Sequence, residues 1–119
     1  MHTPRLIEEE IDDPKIHIIV AVKDGRIVGH AHSNLKKDVV DIFRLYVLRE
    51  FYRQGIESAK LRGVDSYFDP KFEVWLDVFE ENDRAVKFYL SQVYQIMQRT
   101  TEVQSECRDV YEYKMRKQR

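Results

Sequence analysis

The hydrophobic positions in the first half of the chain predict three β-strands. Runs of aliphatic and aromatic residues occupy positions 16–22, 27–32 and 39–48, which are lengths typical of strands. Between the first two lies Lys23-Asp24-Gly25-Arg26, whose Asp-Gly pair accepts the positive φ angles of a tight hairpin turn. These three strands are therefore predicted to form an antiparallel meander.

Helical spacing follows the third strand. Apolar residues recur every three or four positions from Ile56 to Tyr67, which predicts a helix over residues 55–68 that ends before Pro70. The remaining segments are predicted, in chain order, as a strand at 72–79, a helix after Asn82, and strands at 94–99 and 108–115 joined by a loop at 100–106.

The order of these elements predicts an α+β fold. The strand at 72–79 follows the strand at 39–48 through a helix, and a right-handed crossover of this kind makes the two strands parallel. The sheet is therefore expected to be mixed and mostly antiparallel, with one central parallel pair flanked by helices. Residues 1–15 are acidic and predict a short N-terminal helix or a frayed tail.

Composition bounds the class of protein. The chain has 119 residues, the length of a single domain. Charged residues make up 34%, but their signs nearly cancel to a net charge of −1, so no basic field favours nucleic acid. The sequence shows no apolar run that would span a membrane and no signal-peptide pattern. The single Cys107 cannot form an internal disulfide, which favours a reducing compartment, the cytoplasm.

Residues 41–67 carry the most informative pattern. They read as a strand, a loop with Arg53 and Gly55, and the beginning of a helix. Free backbone N–H groups and the helix dipole both attract anions to a helix N-terminus. The segment therefore predicts a phosphate-binding loop, and a plain loop glycine is the alternative for Gly55.

Several segments resemble the GNAT superfamily of N-acetyltransferases. Ile42–Leu61, IFRLYVLREFYRQGIESAKL, is similar to the acetyl-CoA-binding stretch of the family, and Val74–Tyr89, VWLDVFEENDRAVKFY, is similar to its next strand and helix. The hairpin VKDGRIVGHA (Val22–Ala31) and the ending YEYKMRK (Tyr111–Lys117) resemble its flanking strands. The strand DIFRLYVL and the turn VFEEN look most like the branch with polyamine-type acetyltransferases.

The resemblance implies a fold and a co-substrate. In this family acetyl-CoA lies where the two central parallel strands splay apart, and the chemistry needs no metal. The implied binding groups lie on the first of these strands, on the loop and helix start that follow it, and at the cap of the second helix: Leu45, Tyr46, Val47, Arg53, Gln54, Gly55, Ile56, Glu57, Ser58 and Asn82.

Two side chains are implied to transfer protons. Tyr89 matches the tyrosine that protonates the departing thiolate, and Asp41 matches a carboxylate that deprotonates the acceptor amine. An acid near sulfur and a base near the amine each contribute roughly 10²- to 10⁴-fold in rate. The alternatives are a core aromatic on an amphipathic helix for Tyr89 and a solvated strand carboxylate for Asp41.

The phosphate loop departs from the family pattern Arg/Gln-x-x-Gly-x-Gly/Ala. Only Gly55 matches, since Tyr52 replaces the basic or amide residue and Glu57 replaces the last small residue. Arg53 stands where a second glycine is frequent, and Lys60 occupies a usually apolar position of the helix. A carboxylate near a pyrophosphate costs about 1 to 4 kcal/mol, depending on the effective dielectric. The degenerate loop is therefore expected to weaken cofactor binding unless a nearby cation offsets Glu57.

These observations lead to one hypothesis and two alternatives. The chain is expected to be an acetyl-CoA-dependent N-acetyltransferase acting on a primary amine of a small molecule, a polyamine or a protein. A GNAT-fold binding or regulatory module with weak or lost catalysis is the first alternative, and a dimeric interaction domain without cofactor is the second. Fewer residues precede the strand at 16–22 than is usual in the family, so the acceptor site is expected to be open, completed by a second chain in a homodimer, or absent.

Overall fold

The computed structural model describes residues 4–104 and 109–118. Within these residues, seven strands and two α-helices form an α+β fold, mostly antiparallel with one parallel pair of strands, which confirms the predicted fold class. Contacts divide the chain into two compact units, Met1–Phe72 and Glu73–Arg119. The prediction that the chain is one domain stays a prediction, and Cys107 lies outside the described residues.

The described part of the first unit contains four strands, a short 3-10 turn and one α-helix. In chain order they are β1 (Arg5–Glu8), β2 (Ile16–Lys23), β3 (Arg26–Lys36), β4 (Val39–Val47), the turn Arg49–Phe51 and α1 (Ile56–Tyr67). The strands pair antiparallel in the order β1-β2-β3-β4. The predicted hairpin is confirmed, because Asp24 and Gly25 have φ angles of 53° and 76° and join the paired residues Lys23 and Arg26.

β1 corrects the prediction for the N-terminus, where a short helix or a tail was expected. Arg5 pairs with Val22 and Glu8 pairs with Ile19, which makes β1 an antiparallel partner of β2. A helix of this length is marginal on its own, whereas the open edge of β2 offers a row of backbone hydrogen bonds. Tertiary pairing therefore outweighs the helical spacing of the few apolar residues.

α1 packs closely on the sheet of the first unit. Ile56, Leu61 and Val64 are buried on its inner face. A Cβ atom at Gly63 would clash with Cδ1 of Ile19 on β2, so a side chain at this point would require the end of the Ile19 side chain to shift. Ile56 also belongs to an apolar cluster with the end of β4 and the 3-10 turn, which consists of Ala21, Val28, Val47, Phe51 and Ile56. This packing fixes the beginning of α1 next to the end of β4.

The second unit contains β5 (Glu73–Phe79), α2 (Asp83–Ser91), β6 (Tyr94–Gln104) and β7 (Asp109–Lys117). Its strands pair antiparallel in the order β5-β7-β6. The predicted loop at 100–106 is wrong over residues 100–104, because β6 continues to Gln104 opposite β7, and its last two residues lie outside the described residues. Two register shifts in this pairing interrupt the alternation that a regular strand shows in sequence.

Candidate functional site

β4 is irregular at the place where the sequence predicts cofactor binding. Ser33 on β3 pairs with Ile42, and the neighbouring His32 pairs with Arg44, so β4 carries one extra residue, Phe43, at this step. A bulge of this kind bends a strand and changes which face its side chains occupy. Asp41 lies before the bulge and is exposed on the strand.

A hydrogen bond that follows the bulge shows which residues of β4 bond to β3 through their backbone. The N–H of Leu48 donates to the carbonyl oxygen of Val28 at 2.9 Å. Because Gly29 pairs with Val47 and hydrogen-bonded pairs alternate along an antiparallel ladder, His30 and Tyr46 form the next hydrogen-bonded pair. The backbone groups of Tyr46 are therefore used within the sheet.

The same alternation orients the backbone groups on either side of Tyr46. In a strand, consecutive peptide groups point to opposite edges. The N–H and carbonyl groups of Leu45 and Val47 consequently face the edge of β4 that lies away from β3. Of the three strand positions predicted to bind acetyl-CoA through the backbone, the structure orients these two alike and Tyr46 the other way.

A lysine is buried beneath this part of β4. The side chain of Lys60 on α1 is fully buried, and its Nζ donates to the carbonyl oxygen of His30 at 3.3 Å and to that of Tyr46. A Cβ atom at Gly29 would lie 3.3 Å from Nζ, so the glycine makes room for the ammonium group. Burial lowers the pKa of Lys60 to about 8, and the nearby charge of Glu57 partly offsets this by raising it.

Sequence reasoning noted Lys60 only as an unusual residue and missed its position under the strand. The signal that could have found it is its spacing, because Ile56, Lys60 and Val64 follow one another at intervals of four and all three are buried on one face of α1. A charged residue within an apolar stripe predicts a buried partner for that charge.

The loop after β4 keeps a glycine-like conformation although one of its glycines is replaced. Arg53 has a φ angle of 65° and Gly55 one of 80°. The left-handed region costs a non-glycine residue about 1 to 2 kcal/mol, so Arg53 holds a strained backbone. The side chain of Gln54 donates from Nε2 to the carbonyl oxygen of Glu50 at 3.3 Å, which ties the loop to the preceding 3-10 turn.

The beginning of α1 has no side-chain cap. Gly55 caps the helix without a side-chain hydrogen bond, and the first bond of the helix runs from Ala59 N–H to the carbonyl oxygen of Gly55 at 3.0 Å. The N–H groups of the first helical turn therefore point out of the helix end, where they and the dipole favour an anion. Ile56 is buried there, whereas Ser58 is half-buried.

α2 carries the two remaining predicted residues in the second unit. Asn82 caps this helix, because its Oδ1 accepts a hydrogen bond from the N–H of Ala85 at 3.2 Å. Tyr89 is buried, with 4% of its surface exposed, and its ring lies 5.4 Å from that of Phe88 and 6.1 Å from that of Tyr94. The predicted cap is therefore confirmed, while the catalytic role of Tyr89 stays a prediction.

The described residues contain neither a metal-binding cluster nor a membrane-spanning helix. Within residues 4–104 and 109–118, no three His, Cys, Asp or Glu side chains are grouped closely enough to hold a metal ion. Neither of the two helices in these ranges is long and apolar enough to cross a membrane.

Known proteins share the order of these elements. A sequence model of the acetyltransferase (GNAT) family matches residues 1–93. The chain belongs to the acetyltransferase (GNAT) family. Two uncharacterized N-acetyltransferases, one from Mycobacterium bovis and one from Mycobacterium tuberculosis, are each 33% identical to it over 91 residues, which are 74% of this chain and 58% of theirs. The match thus spans less than two-thirds of the length of these GNAT relatives.

Solved structures of the GNAT family superpose on most of the chain. Naa50 of Arabidopsis thaliana in complex with the bisubstrate analogue CoA-Ac-MVNAL is 27% identical and has a TM-score of 0.71. The match covers 86% of this chain and 72% of that one. A GNAT family acetyltransferase from Elizabethkingia anophelis with acetyl-CoA bound has a TM-score of 0.76 at 11% identity and covers 98% of both chains. At that low identity the second likeness shows the fold alone.

Proposed function

We propose that this chain transfers the acetyl group of acetyl-CoA directly to a primary amine, without a metal and without a covalent enzyme intermediate. The observation that carries the proposal is the geometry of β4 and its loop. Leu45 and Val47 present backbone groups on the edge away from β3, and a few residues later the uncapped N-terminus of α1 offers an anion site. The strand groups suit the thioester and the amide-bearing pantetheine arm, and the helix N-terminus suits the pyrophosphate.

The reaction requires charge stabilisation at one atom and proton transfer at two. As the amine nitrogen attacks the thioester carbon, negative charge develops on the carbonyl oxygen, and the bond from carbon to sulfur then breaks. A backbone N–H held rigidly in a strand stabilises the oxyanion without reorganisation. We assign this function to the N–H of Val47, with the backbone of Leu45 holding the pantetheine arm.

The protons are assigned to the two side chains that the family resemblance suggests. Asp41, which is exposed on β4 before the bulge, accepts the proton that the attacking amine loses. Tyr89 on α2 donates a proton to the departing thiolate, which leaves as free CoA thiol. A positioned acid or base of this kind contributes roughly 10²- to 10⁴-fold.

The pyrophosphate is assigned to the backbone of residues 53–58. The open helix end supplies N–H groups, and the exposed side chain of Arg53 adds a positive charge. Glu57 opposes binding through its own charge, although it also acts on Lys60 one turn further along the helix. We further assign to Asn82 a contact with the pantetheine arm in addition to its capping bond.

The acceptor is proposed only as a primary amine. The Naa50 structure holds the bisubstrate analogue CoA-Ac-MVNAL, which supports testing a peptide with a free N-terminus. The resemblance of the strand DIFRLYVL and the turn VFEEN to polyamine acetyltransferases supports spermidine as a second acceptor. A lysine-containing peptide with a blocked N-terminus separates α-amine from ε-amine transfer.

The experiment combines binding with turnover. We expect acetyl-CoA at 100 times its Kd to stabilise the protein by about 2.7 kcal/mol, which raises the thermal midpoint by roughly 10 °C for a chain of this size. Release of CoA thiol should then depend on one of the three acceptors. No thermal shift and no heat of binding at millimolar acetyl-CoA would overturn the proposal, and binding without acetyl transfer to any primary amine would indicate a binding module instead.

A further inference from the structure

We propose that Lys60 is a positioning residue that polarises the oxyanion-binding peptide of β4 from the opposite edge of the strand. This inference rests on the proposed function, in which the N–H of Val47 binds the oxyanion. It adds that a contact to the carbonyl oxygen of Tyr46 makes this N–H a stronger hydrogen-bond donor. The ammonium group of Lys60 donates to that oxygen and to the carbonyl oxygen of His30.

A covalent peptide group links the contact of Lys60 to the oxyanion-binding N–H. The carbonyl of Tyr46 and the N–H of Val47 belong to one trans peptide group, so they point in opposite directions. The carbonyl faces β3, where the His30 pairing and Lys60 meet it, and the N–H faces the edge of β4 that lies away from β3. A group that binds the oxygen therefore cannot obstruct a ligand at the N–H.

The charge of Lys60 polarises this peptide group. A cation at a carbonyl oxygen draws electron density through the conjugated C–N bond, which makes the N–H of the same peptide group a stronger donor. The effect is larger in a site from which water is excluded, and Lys60 is fully buried. Its charge thus acts on the Val47 N–H through the peptide rather than through solvent.

The protein leaves room for the buried ammonium group of Lys60. A buried ammonium group is costly, and an apolar side chain at position 60 would fill the space between α1 and the sheet at no such cost. Gly29 leaves 3.3 Å between its Cβ position and Nζ, which a larger residue would crowd. A charge kept at this expense beneath the proposed thioester site indicates a use for it there.

Few polar groups contact or influence the ammonium group of Lys60, so its protonation can be measured by titration. Glu57 on α1 is the charged side chain that raises its pKa, while β3 and β4 present the two backbone carbonyls. The rings of His30 and Tyr46 stack on each other at 5.8 Å and lie on the opposite face of the sheet from Gly29. Burial places the pKa of Lys60 near 8, so it is mostly charged at neutral pH.

The first arm of the test needs no cofactor. In the isotopically labelled free protein, the carbonyl carbon of Tyr46 and the amide nitrogen of Val47 should shift together between pH 6 and pH 10, with a midpoint near 8. Lys60→Met should abolish this shared transition. Glu57→Gln should move its midpoint to lower pH, because the charge that favours the protonated lysine is gone.

The second arm measures catalysis. In Lys60→Met, kcat at saturating acetyl-CoA should fall about tenfold, a fraction of the effect of losing an oxyanion donor outright. The Kd for CoA, which has no acetyl carbonyl, should change less than about twofold. A merely structural lysine would change CoA affinity and kcat together, or neither.

The outcomes separate this inference from the function on which it rests. An unchanged titration in Lys60→Met, or an unchanged kcat, overturns the role of Lys60 while leaving the acetyltransferase proposal intact. Failure of the wild-type protein to bind or use acetyl-CoA overturns the proposed function and the catalytic role of Lys60 together. Gly29→Ala supplies a second variant, because its Cβ would lie 3.3 Å from both Nζ of Lys60 and the carbonyl oxygen of Tyr46; it should perturb this contact without removing the charge and lower kcat less than Lys60→Met does.

Discussion

The strand and loop of the first unit differ from helix α2 of the second in how their sequences relate to the family. α2 and the turn before it keep the residues that the family resemblance leads one to expect, including Asn82 and Tyr89. For the loop after β4, the resemblance predicts that only Gly55 is kept and that Arg53 and Glu57 stand where small residues are expected. Both regions nevertheless have the backbone that the resemblance predicts, with an open helix end in one and a capped helix in the other.

The difference follows from which atoms carry the proposed function. In the loop and on β4 the proposed ligands are backbone groups, and a backbone can be kept while its side chains change, as the left-handed Arg53 shows. On α2 the proposed groups are a side-chain amide and a phenol, which most substitutions would remove. Sequence departures in the first region therefore say less about lost function than departures in the second would.

The largest effect is expected where a side chain is proposed to do the chemistry. Tyr89→Phe removes the phenol proton and keeps the ring that packs against Phe88 and Tyr94. We expect kcat to fall by about 10² or more, because the thiolate then leaves without a positioned acid. The Kd for CoA should remain within about twofold, and both quantities can be measured by steady-state kinetics and calorimetry.

Tyr94→Phe is the matched control for this change. Tyr94 is also a buried tyrosine of the second unit, with 5% of its surface exposed, and no catalytic role is proposed for it. Its kcat should stay close to that of the wild type. Equal losses in the two variants would show that removal of a buried tyrosine hydroxyl has a general effect on the protein, and full activity in Tyr89→Phe would exclude Tyr89 as the acid.

A smaller effect is expected where backbone conformation is proposed to matter. Gly55→Ala introduces a Cβ atom at a φ angle of 80° with no atom within 4 Å, so the strain comes from the backbone alone. Gly25→Ala in the hairpin turn does the same at 76°. Both variants should lose about 1 to 2 kcal/mol of unfolding free energy.

Only the loop variant should lose affinity for CoA. The N–H groups at the beginning of α1 are aimed by the conformation of Gly55, so relaxing that strain is expected to weaken CoA binding by about tenfold. Urea denaturation gives the stability and calorimetry the affinity of each variant. Equal affinity in both would contradict the assignment of the loop to the pyrophosphate.

Most of the fold could be predicted because its elements have local signals. The Asp24-Gly25 turn and the helical spacing after Ile56 each fix a structure within a few residues. β1 and the end of β6 could not be found in this way, since each is a strand only through its pairing with a neighbour. Long-range pairing outweighs local preference in such segments.

The sequence predicts where the proposed site lies along the chain but not how its backbone groups are oriented. The sequence indicates which strand and loop are involved, whereas the bulge at Phe43 and the hydrogen-bonded pairing of Tyr46 decide which peptide groups face outward. Both depend on register, which shifts every group to the opposite edge when it changes by one residue. The buried position of Lys60 likewise follows from packing of α1 and not from any short motif.

The smallest expected effect concerns the carboxylate of Glu57, whose presence is the main sequence argument against cofactor binding. Glu57→Gln removes one negative charge in the first turn of α1 and keeps the shape of the side chain. We expect the Kd for CoA to fall about fivefold, which corresponds to about 1 kcal/mol for a charge a few ångströms from the pyrophosphate at water-like dielectric.

Salt dependence and a control variant decide whether Glu57 acts by its charge. The gain from Glu57→Gln should shrink between low and high ionic strength, because Glu57 is only half-buried and salt screens a charge that reaches solvent. Asp24→Asn makes the same charge change in the hairpin turn, where its φ angle of 53° suits asparagine, and should leave CoA affinity unchanged. Unchanged or weaker CoA binding in Glu57→Gln would mean that its carboxylate acts on Lys60 rather than on the ligand. The loop would then owe its altered sequence to the buried lysine beneath β4.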